Sequence, residues 1–158
     1  MRLRLPLFTL LLVVALGALV ALPATAASPP TTTLQFLGVP TSFNFSGNPD
    51  PNVPPKLGDI FSFHLALYKW NGYHRGAAAG GVNVVNTSLT PNLDRVSAVA
   101  HLAGGTLVIE GDSYGNGGVR LAVTGGTGIY AGARGEVITK NIGGPNGSKS
   151  AITIRLWQ

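Results

Sequence analysis

The chain contains no cysteine. That excludes disulfide staples, thiolate metal sites and a cysteine-borne lipid anchor. Charge is almost as scarce, with 11 Lys/Arg and 6 Asp/Glu among 158 residues. The excess of base raises the pI to about 10.0, but the charges are scattered singly. Without a basic stripe, or basic residues interleaved with aromatics, nucleic acid is not an expected partner. The three histidines, His64, His74 and His101, lack ligand spacing, so no metal site is expected. No Gly-x-Ser-x-Gly elbow occurs, and a hydrolase triad has no support. No segment shows the 3.6-residue apolar period of an amphipathic helix either.

What is present begins with a processing signal. Arg2 and Arg4 precede an apolar run from Leu5 to Leu22, followed by Pro23-Ala24-Thr25-Ala26-Ala27. A basic start, an apolar stretch and small residues around an Ala-x-Ala site make residues 1–26 a secretory signal peptide, cut after Ala26. The other reading is a membrane anchor. The run falls short of the roughly 20 residues a spanning helix needs, and Pro6 and Pro23 bracket it. The mature chain is thus expected outside the cytoplasm (secreted, periplasmic or in the cell wall), with no membrane partner after cleavage. Residues 27–33 read as a disordered lead-in, and 34–158 as one domain without a detectable repeat.

That domain has an apolar period of two. Phe61, Phe63, Leu65 and Leu67 alternate with Ser62, His64, Ala66 and Tyr68, as in a strand with one buried face. Val96, Ala98, Ala100 and Leu102 repeat the scheme, as do Ile152, Ile154 and Leu156. Glycine-, proline- and asparagine-rich clusters separate these runs. Eight strands follow, near 34–45, 59–69, 75–86, 93–103, 105–112, 119–124, 134–142 and 149–157. An antiparallel sandwich or barrel is the expected class. Eight strands suit closure, with a lumen for packed side chains or one small ligand.

Residues 121–137, LAVTGGTGIYAGARGEV, first suggest a dinucleotide-binding turn. Such a site needs a helix after the glycines, another parallel strand and an acid about 20 residues on. Here Tyr130–Gly135 is too glycine-rich for a helix, and Glu136 is the last acid of the chain. The glycines are therefore structural. Gly125, Gly126 and Gly128 are expected to permit a strand-to-strand crossing, and Gly132 and Gly135 to let the next strand start against it.

The same stretch resembles the signature shared by plant allene oxide cyclases and dirigent proteins, down to the Ala133-Arg134-Gly135 ending. Leu57-Gly58-Asp59, Gly76–Gly80 and Gly105-Thr106-Leu107 are similar to further family motifs, so the resemblance spans roughly Leu57 to Trp157. It implies an eight-stranded antiparallel β-barrel with an apolar lumen, usually trimeric and without cofactor, that shapes a bound molecule during radical coupling or ring closure. The family's working groups are mostly replaced. Ala77 stands where dirigents carry an Arg, His64 and Leu65 follow Phe63 in place of an acidic pair, and Val82 corresponds to the cyclase Cys.

The resemblance makes His64 the catalytic candidate, since it falls at the position of a dirigent acid. Its plainer reading is a hydrogen-bonded or exposed histidine. Tyr68, His101, Glu110 and Tyr130 are candidates for contact with a ligand, against packing for the tyrosines and solvent exposure for the others. Arg120 and Arg134 read as surface or subunit-interface groups. The expected function is a dirigent-like or cyclase/isomerase-like protein, a homotrimer holding a small hydrophobic molecule. The alternatives are a non-catalytic carrier and a purely structural exported protein.

Overall fold

The computed structural model describes residues 32–46, 56–90, 93–114, 118–144 and 149–157. The signal peptide and residues 27–31 of the lead-in lie outside the described residues. Eight strands account for nearly all of the rest: β1 (Thr32–Ser46), β2 (Ile60–Trp70), β3 (Arg75–Thr90), β4 (Leu93–Leu102), β5 (Gly105–Tyr114), β6 (Arg120–Gly126), β7 (Arg134–Gly143) and β8 (Lys149–Trp157). One 3-10 turn, Gly128–Tyr130, joins β6 to β7. Each strand pairs antiparallel with the next, and β8 pairs back with β1. The sheet is a closed barrel with no free edge.

Most strand boundaries shift by one or two residues from the sequence reading, and two of the differences have a clear cause. Thr32 and Thr33 are not part of a disordered lead-in, because they pair with Leu156 and Arg155 of β8. β3 runs to Thr90 rather than ending at residue 86. Its polar tail looks like a turn, but Ser88 exchanges backbone hydrogen bonds with Gly58 and Asp59 at 2.8 and 2.9 Å. Pairing with the approach to β2 on one side and with Leu93, Asp94 and Arg95 of β4 on the other keeps that tail extended.

The period-two pattern sends one face of every strand into the barrel. Packing is uneven along the axis. Leu67, Leu107, Leu156, Ala100 and Ala133 are wholly buried near the end where β4 meets β5 and β6 finishes. Tyr130, on the 3-10 turn, joins this core and closes that end. At about 1.5–3 kcal/mol for each large apolar side chain, the floor carries much of the stability. At the other end, where β1 finishes and β2 starts, Phe43 is 60% exposed. Among the described residues, the barrel is packed at the floor and open at the mouth.

The floor is also stitched by its backbone. Thr127 N–H donates to the Thr106 carbonyl and Ile129 N–H to the Gly104 carbonyl, each at 2.9 Å. The Thr106 and Thr127 hydroxyls meet at 2.8 Å. The crossing after β6 is thereby tied to the β4–β5 hairpin.

Candidate functional site

From the mouth a cavity of about 810 Å³ runs down the barrel, a size that suits a small-molecule site. Its walls are aliphatic, with Leu65, Leu67, Val82, Val84, Val96, Ala98, Ile109, Leu121, Val137, Ile152 and Ile154. Phe43, Phe61 and Phe63 make one side aromatic. Their ring centroids lie 5.4–6.0 Å apart, the spacing of mutually stabilising rings. Polar groups appear toward the mouth: Asn86, Ser113, Thr139, Asn141 and Ser150. Among the described lining residues none is Asp, Glu, His, Lys or Arg.

One of these polar groups is unsatisfied. Oδ1 of Asn86 is buried and has no hydrogen-bond partner. In cross-strand register Asn86 stands between Phe61 of β2 and Val96 of β4, neither of which has a side-chain donor. A buried acceptor left in this state costs about 1–3 kcal/mol. Two signals in the sequence bear on this position. Asn86 begins an Asn-Thr-Ser sequon, and it is in phase with Val82 and Val84. The second was the informative one, because the alternation turns Asn86 inward and away from the surface where a glycan would be attached.

The residues singled out from the sequence stand elsewhere. His64, the catalytic candidate, lies on the outer face of β2 and does not line the cavity. The Thr41 hydroxyl is 2.7 Å from its Nδ1, and Thr41 falls at the register shift between Pro40 and Ser42. His101 is also outside, with its Nε2 3.4 Å from Nδ2 of Asn83. Glu110, opposite Ser97 and Ala122, is exposed to solvent. Tyr68 packs on the outside beneath the Arg75 guanidinium, 3.4 Å from its ring centroid. Tyr130 is buried in the floor, and its hydroxyl donates a long bond of 3.5 Å to the Ala103 carbonyl. None of these five lines the cavity. Of the positions where the family's groups are replaced, Leu65 and Val82 do line it, while Ala77 is exposed.

The signature glycines divide by role. Gly128 has φ +63°, and a Cβ there would strike the Gly104 carbonyl. A Cβ on Gly135 would strike the Arg155 carbonyl oxygen of β8. Gly126 is hemmed in by the Thr106 and Tyr130 carbonyls, each 2.6 Å from a Cβ, and Gly132 has φ +75°. Gly125 has neither a positive φ nor a close neighbour, so the crossing does not require glycine there.

No protein-family model and no curated relative matches the sequence. Solved structures do match in fold. A pyocyanin demethylase superposes with a TM-score of 0.64 at 21% identity, over 80% of this chain and 100% of its own. A pterocarpan synthase dirigent protein gives 0.61 at 17%, over 80% and 96%. The Diels-Alderase AbmU from Streptomyces koyangensis gives 0.63 at 14%, over 80% of this chain and 64% of its own. At these identities the likeness is one of fold. The chain is a closed eight-stranded antiparallel barrel that is similar in fold to dirigent and Diels-Alderase barrels.

Proposed function

We propose that the protein is exported, binds one small apolar molecule in its lumen and steers that molecule's cyclisation or coupling by confinement. The observation that carries this reading is the open, largely apolar cavity with a few hydrogen-bonding groups gathered toward its mouth. Its described walls offer no side chain that titrates near neutral pH, so they supply orientation in place of proton transfer. Holding a flexible molecule in a reactive shape lowers the entropic part of a barrier. Dirigent and cyclase barrels among the structural neighbours support that role. A purely structural role calls for a lumen filled by side chains, and the volume of the cavity argues against it.

The lack of ionisable groups among the described lining residues also favours a second reading, a carrier that binds without turnover. Native mass spectrometry separates the two. The processed chain, purified without detergent, is challenged with a mixed lipid and phenolic extract. The expected result is a homotrimer retaining one defined small mass per chain. Incubation of that compound and chiral chromatography of the products then decide between steering and carriage. A protein that retains nothing sinks both readings.

A further inference from the structure

Asn86 is the one polar side chain in its inward cross-strand row, which runs Phe45, Phe61, Asn86, Val96, Gly111. Asn86 lines the cavity, and its Oδ1 is buried and unpartnered. We propose that Asn86 orients the ligand, accepting a hydrogen bond from an N–H or O–H group at one end of an uncharged, otherwise apolar molecule. This deepens the lumen-binding reading above and rests on it. The body of the ligand lies against Phe43, Phe61 and Phe63 and extends toward Leu65 and Val82.

Three considerations select this chemistry. A donor on the ligand relieves the penalty that the empty acceptor carries, whereas a molecule with acceptors alone leaves that penalty in place. An ionic ligand would lose its hydration and find no opposite charge among the described lining residues. A site with a buried hydrogen-bonding group rejects analogues that lack the partner much more strongly than an apolar wall rejects a missing methylene. The donor end of the ligand is thereby held toward the mouth and its apolar end toward the floor. That fixes which face of the molecule meets which wall.

The test uses carbazole and N-methylcarbazole, two uncharged fluorescent tricycles that differ at the single N–H. Both are titrated into the processed native protein, Asn86→Leu and Asn86→Ala, with circular dichroism to verify the fold of each variant. The native protein is expected to prefer carbazole by roughly tenfold or more. Either variant is expected to bind the two probes alike and to hold N-methylcarbazole at least as well as the native protein does. Equal affinities in the native protein overturn the inference, since water then satisfies Asn86 well enough. A carbazole preference that survives in both variants overturns it too, by placing the acceptor elsewhere. Failure of every protein to bind either probe overturns the lumen-binding reading and this inference with it.

Discussion

Gly128 and Gly135 belong to one motif but fail for different reasons when a side chain is added. At Gly128 both the positive φ and the Gly104 carbonyl oppose a Cβ, and at Gly135 the obstacle is the Arg155 carbonyl alone. Either change to Ala is expected to cost about 2–3 kcal/mol, read from the urea midpoint, because backbone must shift to admit the methyl. Gly125→Ala is expected to stay within about 0.5 kcal/mol, since the nearest atom to its Cβ is Arg134 Nη1 at 3.9 Å. The sequence made the motif visible but could not rank its glycines, since the obstructing carbonyls belong to Gly104 and Arg155, far away along the chain. His64 teaches the converse. Alternation already put it on the face opposite Phe63, and only the family's acidic position made it a catalytic candidate. A one-residue offset exchanges lumen for surface. His64→Ala is therefore expected to leave affinity for the native protein's ligand unchanged, and a tenfold loss in titration would return the residue to the site.

At the level of strands, Glu136 joins three neighbours. Its carboxylate accepts from Arg120 of β6 at 2.7 Å and from Arg155 of β8 at 2.9 Å, while its own backbone pairs with Ala122 and Arg155. Both arginines are substantially exposed, so the pairs are screened and each contributes little. Glu136→Gln is expected to lower stability by about 0.5–1 kcal/mol in dilute buffer, with the loss shrinking in molar salt. A loss that is the same at both salt concentrations would assign the effect to packing instead. The strands themselves were legible, because a buried face with period two leaves a plain trace wherever the apolar members are large. β3 was harder beyond Asn86. There Thr87, Ser88 and Thr90 are polar, and what keeps them extended is pairing with Arg95, Asp94 and Leu93 of β4 on one side and with Ile60 and the backbone of Gly58 and Asp59 on the other.

For the whole molecule, the proposed function separates stability and binding along the barrel axis. The floor is packed around Leu67, Leu107 and Leu156, and among the described residues the mouth end is not filled by side chains. Substitutions at the two ends should then have opposite signatures. Leu156→Ala removes a wholly buried side chain from the closed end and is expected to cost about 3–4 kcal/mol in urea unfolding. Ala98→Phe acts on the cavity wall, level with Phe63, Val84 and Ile109 in the inward rows. The added ring extends into existing space, so the expected change in stability is within about 1 kcal/mol. Carbazole affinity should meanwhile fall by roughly tenfold or more, as the ring takes the room the ligand needs. An Ala98→Phe protein that unfolds easily would mean that the walls lack the room a ligand needs. One that is stable and binds as before would mean that the ligand sits outside the lumen. Only a stable barrel with a blocked cavity fits the proposal that the fold is held at one end and the ligand at the other.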